Sequence, residues 1–511
     1  MRRTGLLQQG GVLSFLLVAL LAWGLNPASS AAKFSREGSG EPLRQQPGSG
    51  LRQKIERVEN GLLPPAVVKG EPAVRMTIAE RLQFYKTPGI SVAVINDGRI
   101  EWARGYGFTE VGGRDPVTTE TMFQAASISK PVTAMAALRL VEQNKLGLDE
   151  DVNKKLVSWK VIDNEFTKEQ KVTLRRLLSH SAGLTVPGFL GYPEGDQLPT
   201  IRQILEGQKP PANSPPIQVD VVPGSRWRYA GGGYVVLQQL LMDVTATPFE
   251  QFMQKTVLKK LGMTHSTFQQ PLPPALSGRA AAGHLPDGKM IKGKWFVYPE
   301  QAPAGLWSTP TDLARFAIEI QKSKLGKSNR ILTRIMTKQM LTSQIENSGL
   351  GLFLEGQGNC ARFTFGGSNV GYKAYLVGYL GTGQGAVIMS NSENGTQLVM
   401  EVLRSIAAEY GWPDYHPKER IIVKVDPVVY DALAGQYEIA PGFILTVARE
   451  GEKLISQAPG QAKSEMFPES ETTFFLKDAD AQFTFVKDEA GKVIQVNIRR
   501  GAREFKARKI N

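Results

Sequence analysis

The stretch that decides the fold of this chain reads Phe123-Gln124-Ala125-Ala126-Ser127-Ile128-Ser129-Lys130-Pro131. It holds a serine and a lysine in the spacing S-x-x-K, and an apolar, alanine-rich run follows Pro131. Proline is well tolerated in the first turn of a helix, so the pattern predicts a helix that begins at Ser127. Residues three apart on a helix lie one turn apart on the same face, which places the Lys130 amine beside the Ser127 hydroxyl.

This pairing suits Ser127 for nucleophilic chemistry. A serine hydroxyl is a weak nucleophile until a base removes its proton. A lysine serves as that base only when burial or nearby positive charge brings its pKa towards neutrality, and the positive potential at a helix N-terminus works in the same direction. The spacing alone leaves open an ordinary capping serine beside a solvated lysine, since a second match, Ser30–Lys33, lies in the N-terminal segment.

Four more blocks follow Lys130 along the chain. They span residues 174–184 (LRRLLSHSAGL), 223–234 (PGSRWRYAGGGY), 303–314 (PAGLWSTPTDLA) and 365–372 (FGGSNVGY). Together with residues 123–131, these blocks resemble, in order, the motifs of serine β-lactamases, D-alanyl carboxypeptidases and related esterases. The resemblance runs from about Arg75 to Tyr410. It implies an α/β (α+β) fold, with a β-lactamase-like antiparallel sheet flanked by helices and a mostly helical subdomain.

The resemblance also implies a catalytic set and an oxyanion hole. Ser127 is the implied nucleophile and Lys130 the base for acylation. Tyr229 shares proton transfer, and it needs Lys130 nearby to stabilise its phenolate because a tyrosine titrates near 10 in water. The backbone N–H groups of Ser127 and Ser368 form the implied oxyanion hole. His180 falls in a block whose histidine is structural in the family, so catalysis by His180 is not expected.

The positions implied to bind substrate are Phe365, Gly366, Gly367 and Gly231. Two of them depart from the family pattern. Position 231 often holds an asparagine whose amide contacts the lysine and the substrate. Position 365 usually holds lysine or histidine, which helps to hold a substrate carboxylate, whereas phenylalanine makes no ionic contact. Arg362 and Lys373 lie nearby in the sequence as cationic alternatives.

We therefore expect a serine hydrolase that cleaves an ester or an amide, as an esterase or a D-peptidase does, through an acyl-serine intermediate. The two departures favour uncharged acyl groups over efficient β-lactam hydrolysis. The expected partner is a small-molecule or peptide ester or amide, and a peptidoglycan-derived substrate stays open. The alternative is a non-catalytic, degenerate hydrolase fold that binds a cell-wall fragment or a partner.

Composition and residue spacing argue against two other classes of function, nucleic-acid binding and metal-dependent chemistry. The chain has 511 residues and a net charge of +13, but its basic residues are spread along the sequence without a nucleic-acid reader motif. No nucleic-acid partner is therefore expected. The four histidines do not fall at metal-ligand spacings, and the single cysteine, Cys360, cannot form an intramolecular disulfide. The sequence accordingly predicts no metal site and no cofactor.

Residues 1–32 are predicted to form a signal peptide. Arg2 and Arg3 precede an apolar run, and small residues at 28–32 follow it. Export to the periplasm or the extracellular space is expected, with no stable membrane span after cleavage. A short N-terminal membrane anchor is the alternative, because the apolar run is short for a full span.

The rest of the chain is predicted to contain a linker and two domains. Residues 33–73 are polar and rich in glycine and proline, as linkers are. The hydrolase domain is assigned to residues 74–412. Beyond the Pro-rich segment 412–417, short alternating runs predict a small all-β domain over residues 426–511. This tail resembles a β-barrel domain that often trails these hydrolases.

Overall fold

The computed structural model describes residues 49–72, 74–459, 463–501 and 503–510. The predicted signal peptide and the first part of the predicted linker lie outside these residues. The described chain forms two compact units, one of residues 86–399 and the other of the segments before residue 86 and after residue 399. Among the described residues, no helix combines the length and the apolarity needed to cross a membrane.

The unit of residues 86–399 is built on an antiparallel sheet, as predicted. Its strands are β1 (Gly89–Asn96), β2 (Arg99–Gly107), β3 (Phe353–Glu355), β4 (Arg362–Asn369), β5 (Tyr372–Tyr379) and β6 (Gly385–Ser390). They lie side by side in the order β2-β1-β6-β5-β4-β3. The β1–β2 hairpin turns at Asp97 and Gly98, both with positive φ, because the Asn-Asp-Gly sequence tolerates that backbone.

Helices make up much of the rest of this unit. The long ones are α1 (Ser129–Glu142), α2 (Gly231–Thr245) and α3 (Pro310–Lys324). Shorter helical segments are Ala126–Ile128, Val152–Lys154, Glu165–Thr167, Leu174–Leu178, Ile201–Glu206, Phe249–Met253, Gln254–Leu258, Lys259–Leu261, Pro274–Ser277, Gln301–Ala304, Arg334–Met340 and Gly358–Cys360. Most residues of α1 and α2 are buried. This burial explains why both helices are apolar around most of their circumference rather than along one stripe.

The register of β4 leaves part of its edge open. β5 pairs with β4 along its whole length. β3 pairs only with residues 362–364. Residues 365–369 therefore have a strand partner on one side only, and β4 packs against the turn Ala126–Ile128, which carries Ser127.

The other unit contains a closed barrel of eight strands, which confirms the all-β prediction for the tail. The strands are Gly435–Ala440, Phe443–Glu450, Lys453–Gln457, Ser464–Pro468, Thr473–Phe475, Ala481–Lys487, Val493–Arg500 and Arg503–Lys509. Burial alternates along them, so Phe443, Leu445 and Val447 point inwards. Large apolar side chains such as Tyr437 and Phe485 fill the interior.

Segments from before residue 86 belong to the same unit as the barrel. The strand Ala66–Val68 pairs in parallel with Lys418–Arg420. The predicted linker therefore contains an ordered strand, and a strand also lies between the Pro-rich segment 412–417 and the barrel. The helices of this part of the chain are Ser49–Glu59, Ile78–Phe84, Val429–Leu433 and Gly395–Tyr410, the last of which begins in the other unit.

A buried ion pair joins two of these helices. Arg81 donates hydrogen bonds to both carboxylate oxygens of Glu401, at 2.8 and 2.7 Å, and the Tyr85 hydroxyl donates another at 2.7 Å. The Glu401 side chain is 2% exposed. The pair therefore ties the segment before the 86–399 unit to the helix that follows it.

We expect Glu401→Ala to lower the free energy of unfolding by about 3 kcal/mol, because Arg81 would stay buried without its carboxylate. The matched control is Glu409→Ala, which breaks the pair with Arg57, whose side chain is 54% exposed. Exposed pairs contribute little, so the control should unfold at nearly the wild-type urea concentration. Urea titrations of the three proteins measure both effects, and equal losses in the two variants would contradict the prediction.

Candidate active site

Ser127 lies in the 3-10 turn Ala126–Ile128, which runs directly into α1. The sequence predicted a helix beginning at Ser127, whereas the α-helical part begins two residues later, at Ser129. The preceding turn is closed by the Ile128 N–H, which donates to the Ala125 carbonyl at 3.0 Å, and Ala126 in this turn has a φ of +50°, in the left-handed region. A residue with a Cβ adopts that region at a cost of roughly 1 kcal/mol, so surrounding contacts must hold it there.

Ser129, the middle serine of the motif, provides these contacts. Its Oγ donates to the Ala126 carbonyl at 2.5 Å and accepts the Leu306 N–H at 3.0 Å. The Ala125 N–H donates to the Leu306 carbonyl at 2.8 Å. The backbone on both sides of Ser127 is thereby fixed to one neighbouring segment. The S-x-x-K pattern gave no sign of this role for Ser129.

Lys130 is buried directly beside Ser127. Its Nζ lies 3.1 Å from Ser127 Oγ and donates to the Pro303 carbonyl at 2.9 Å. The lysine is 2% exposed. Burial removes the water that would solvate an ammonium, so the pKa of Lys130 falls to about 7. A large fraction of Lys130 is therefore a free amine at neutral pH, within reach of the hydroxyl that it would deprotonate.

Tyr229 contacts the same serine oxygen. Its hydroxyl donates to Ser127 Oγ at 3.0 Å, and Lys130 Nζ lies 4.9 Å from the centre of its ring. Burial raises the pKa of Tyr229, and the hydrogen bond with Ser127 offsets only part of that effect. Burial therefore favours the neutral phenol of Tyr229 over its phenolate. Tyr229 is therefore suited to donating a proton.

The His180 ring packs against the Tyr229 ring. The two rings lie 4.4 Å apart between centroids, and His180 Nδ1 accepts the Ala230 N–H at 3.2 Å. Burial, together with the charge of Lys130, lowers the pKa of His180 to about 3. The imidazole is thus neutral at physiological pH. These contacts agree with a structural role for His180.

The open edge of β4 approaches the Ser127 turn very closely at Gly367. A Cβ added there would lie 2.3 Å from the Ala125 carbonyl oxygen, a separation that real side chains do not adopt. At Gly366, one residue earlier, the nearest atom to an added Cβ is on Tyr375 at 3.9 Å. Only the second glycine of the Phe-Gly-Gly-Ser sequence is therefore required by packing.

Asn369 fixes the end of β4 to the same region. Its Nδ2 donates to Gln124 Oε1 at 2.8 Å and to the Ala304 carbonyl at 3.2 Å. Ser368 lies between Gly367 and Asn369, and both of these neighbours contact the segment that leads into Ser127. The structure thus brings the two segments that carry the predicted oxyanion donors together.

Phe365 is part of a small aromatic cluster. It is 2% exposed and stacks on Phe353, with ring centroids 5.1 Å apart. The rings of Phe353 and Trp227 in turn meet edge to face, with centroids 6.2 Å apart. Trp227 lies two residues before Tyr229, so the cluster runs from the Tyr229 segment to β4. The position that is usually cationic in the family is therefore apolar here.

The two cationic alternatives named from the sequence are both paired. Arg362 forms an ion pair with Glu355 at 2.8 Å. Lys373 Nζ donates to Glu393 Oε1 at 2.5 Å and to Ser368 Oγ at 2.9 Å. Lys373 therefore contacts a predicted site residue, but its charge is balanced by Glu393.

Gly231 is the first residue of α2 and is buried. Its N–H donates to the Pro187 carbonyl at 3.1 Å. The structure therefore places this predicted substrate-binding position against a loop that the sequence analysis did not single out. The Pro303 carbonyl beside Lys130 was also missed, because a backbone acceptor leaves no residue-specific signal.

Comparisons with known sequences identify the family to which the chain belongs. Residues 74–409 match the family model described as Beta-lactamase, and residues 419–511 match a domain of unknown function, DUF3471. Penicillin-binding protein 4* of Bacillus subtilis (strain 168) is 25% identical over 445 residues, which cover 82% of this chain and 94% of that protein. Protein flp of Staphylococcus aureus (strain MRSA252) is 25% identical over 241 residues, 46% of this chain and 44% of that protein.

Solved structures show the same fold. The octameric penicillin-binding protein homologue from Pyrococcus abyssi has a TM-score of 0.58 at 24% identity, covering 84% of this chain and 98% of that one. EstCE1, described as a hydrolase with promiscuous acyltransferase activity, has a TM-score of 0.55 at 20% identity, covering 71% of this chain and 100% of that one.

Gly367→Ala is expected to destabilise the 86–399 unit by about 1–3 kcal/mol, because the added methyl group would force β4 away from the Ala125 carbonyl. Gly366→Ala is the matched control, since its methyl group would make only an ordinary van der Waals contact with Tyr375, at 3.9 Å. Thermal unfolding of the two variants measures the difference. If both unfold at the same temperature, the close approach of β4 to the Ser127 turn is not a constraint on the fold.

Proposed function

This chain belongs to the beta-lactamase family, and from that premise we propose that it is a serine hydrolase that cleaves an ester or an amide through an acyl-Ser127 intermediate. One observation carries the proposal. Ser127 Oγ lies 3.1 Å from a buried amine and 3.0 Å from a buried phenol. The first can remove a proton and the second can supply one, which are the two transfers that acyl transfer needs.

Acylation begins with the free amine of Lys130. It takes the Ser127 proton as Oγ attacks the substrate carbonyl carbon, and the carbonyl oxygen becomes an oxyanion held by the N–H groups of Ser127 and Ser368. As the bond to the leaving group breaks, Tyr229 gives its proton to the departing oxygen or nitrogen. The Lys130 ammonium then returns a proton to Tyr229, so the acyl-enzyme holds both groups neutral.

Deacylation uses Lys130 as the base again. A water molecule attacks the acyl carbon and loses a proton to the Lys130 amine. The bond from the acyl carbon to Ser127 Oγ breaks, and the Lys130 ammonium, 3.1 Å away, returns its proton to Oγ as the carboxylic acid leaves. Each step uses the same contacts around Ser127, so no group has to move far between the two half-reactions.

The charges around the site favour neutral substrates. Position 365 carries a buried, stacked phenylalanine in place of a cation. Arg362 and Lys373 are held by Glu355 and Glu393, so neither cation is left to bind a substrate carboxylate on its own. A substrate without a carboxylate avoids the cost of burying an unpaired charge.

The names of two relatives suggest two kinds of reagent with which to test Ser127, a penicillin and a general acylating or phosphonylating probe of serine hydrolases. One relative is called a penicillin-binding protein and another is described as a hydrolase with acyltransferase activity. Intact-mass analysis after exposure to a fluorophosphonate probe and, separately, to penicillin tests both. Labelling of Ser127 by the probe supports an enzyme, whereas no adduct with either reagent favours the non-catalytic binding alternative.

We expect the wild-type protein to turn over p-nitrophenyl acetate and to hydrolyse penicillin G at least a hundredfold more slowly in kcat/KM. The reason is the missing carboxylate partner, since a lost ionic contact of a few kcal/mol corresponds to about two decades in rate. Ser127→Ala should abolish ester turnover. Ser129→Ala is not a neutral control, because the Ser129 hydroxyl donates a hydrogen bond to the Ala126 carbonyl. Phe108→Ala serves that purpose, since Phe108 is 48% exposed at the end of β2.

Faster hydrolysis of penicillin than of the neutral ester would overturn the substrate class. Unchanged ester turnover in Ser127→Ala would overturn the mechanism itself.

The rate of acylation is expected to fall about tenfold per pH unit below pH 7, because protonation removes the amine form of Lys130, whose pKa is about 7. Above that value the rate should level off. His180 cannot produce this change, since its pKa is about 3. Glu300 titrates in a similar range, because burial raises its pKa to about 8, and Glu300→Gln removes it as a control.

The measurement is the rate of fluorophosphonate labelling between pH 5 and 9. Lys130→Arg should be nearly inactive throughout, because a guanidinium stays protonated. A rate that is independent of pH in this range would exclude Lys130 as the base.

A further inference from the structure

The loop before residue 190 lies against the first turn of α2. The Gly231 N–H donates to the Pro187 carbonyl at 3.1 Å, and the Gly232 N–H donates to the Val186 carbonyl at 2.9 Å. These two donors belong to the first turn of a helix, where N–H groups lack partners within the helix. The carbonyl groups of this loop therefore accept the hydrogen bonds of the first turn of α2, which begins two residues after Tyr229.

Phe189, in this loop, lies where a side chain at position 231 would go. A Cβ added to Gly231 would be 3.0 Å from Phe189 Cε2 and 3.1 Å from the Pro187 carbonyl oxygen. Phe189 packs against the core of the unit but remains partly exposed. A side chain at position 231 therefore requires the Phe189 ring to shift by at least a few tenths of an ångström.

Tyr298 holds the loop in place from the other side. Its hydroxyl donates to the Leu190 carbonyl at 3.2 Å and accepts the N–H of Val370, in the turn between β4 and β5, at 3.2 Å. A Cβ on Gly191 would lie 2.6 Å from the Tyr298 ring. The loop is thus fixed at both of its ends, between α2 and the end of β4.

We propose that Phe189 is a specificity-determining residue that gives the site an apolar wall in place of a polar side chain at position 231. The inference rests on the proposed function. The acyl group stays bonded to Ser127 after the leaving group departs, so the walls nearest to Ser127 and Tyr229 select the acyl group. Phe189 limits the site to short, uncharged acyl groups, because its ring fills the adjoining space and offers no hydrogen bond.

The first test asks whether Phe189 and position 231 share one volume, and it needs no activity. Gly231→Ala is made in the wild-type protein and in Phe189→Ala, and the thermal unfolding temperatures of the four proteins are compared. The added methyl group should lower the unfolding temperature of the wild-type protein and should lower that of Phe189→Ala by less than half as much. Equal shifts in the two backgrounds would overturn the shared volume.

The second test measures acyl selectivity with p-nitrophenyl acetate and p-nitrophenyl hexanoate, which differ only in the acyl chain. Phe189→Ala should raise the ratio of kcat/KM for hexanoate over acetate at least tenfold, since each extra methylene admitted to an apolar site is worth about tenfold or more. Phe189→Leu, which keeps the loop packed, should raise it less. Phe108→Ala, the exposed control, should leave the ratio unchanged.

The outcomes separate this inference from the proposed function. A hexanoate-to-acetate ratio within twofold of wild type in Phe189→Ala, with Ser127-dependent turnover retained, overturns the role of Phe189 and leaves the hydrolase intact. If the wild-type protein neither turns over an ester nor labels at Ser127, the proposed function fails and acyl selection by Phe189 fails with it. The unfolding data then still report whether the ring and position 231 compete.

Discussion

The rest of the site depends on the burial of one amine. Lys130 sits in a helix that is itself buried on most sides, and its Nζ has Ser127 Oγ and the Pro303 carbonyl as hydrogen-bond partners. Without water, an ammonium there is costly, so the amine form becomes accessible near neutral pH. The backbone of Ala126, the buried Tyr229 and the tight approach of β4 all place groups around Ser127, which lies beside this amine.

The resemblance of the motif blocks to a known family predicted the fold class and the antiparallel sheet, and short alternating runs with turn residues predicted the all-β tail, because these are local signals. The sequence also named three residues, Ser127, Lys130 and Tyr229, that the structure brings within hydrogen-bonding distance. It could not show the phenol form of Tyr229, which follows from burial by residues distant in the chain. Nor could it pair Gly231 with Phe189, because that contact depends on the path of a loop and not on any local pattern.

The net charge of the whole chain and the paired charges near β4 act over different distances. The chain as a whole carries a net charge of +13, which acts on approaching molecules over a Debye length. Near β4, the cations are matched by carboxylates, and the cluster of Phe365, Phe353 and Trp227 keeps one side of the site apolar. In the proposed mechanism, low local polarity would strengthen the backbone donors to an oxyanion, so no free cation would be needed to stabilise the developing charge.

The parallel pairing of Ala66–Val68 with Lys418–Arg420 joins two strands that are synthesised far apart in time. The first strand leaves the ribosome before residues 86–399, and its partner leaves after them. At typical elongation rates the two are made on the order of tens of seconds apart. During that interval the first strand exposes unpaired N–H and C=O groups, which are a template for pairing with other chains. A nascent chain stalled ahead of Lys418 therefore carries an open edge that the finished protein covers.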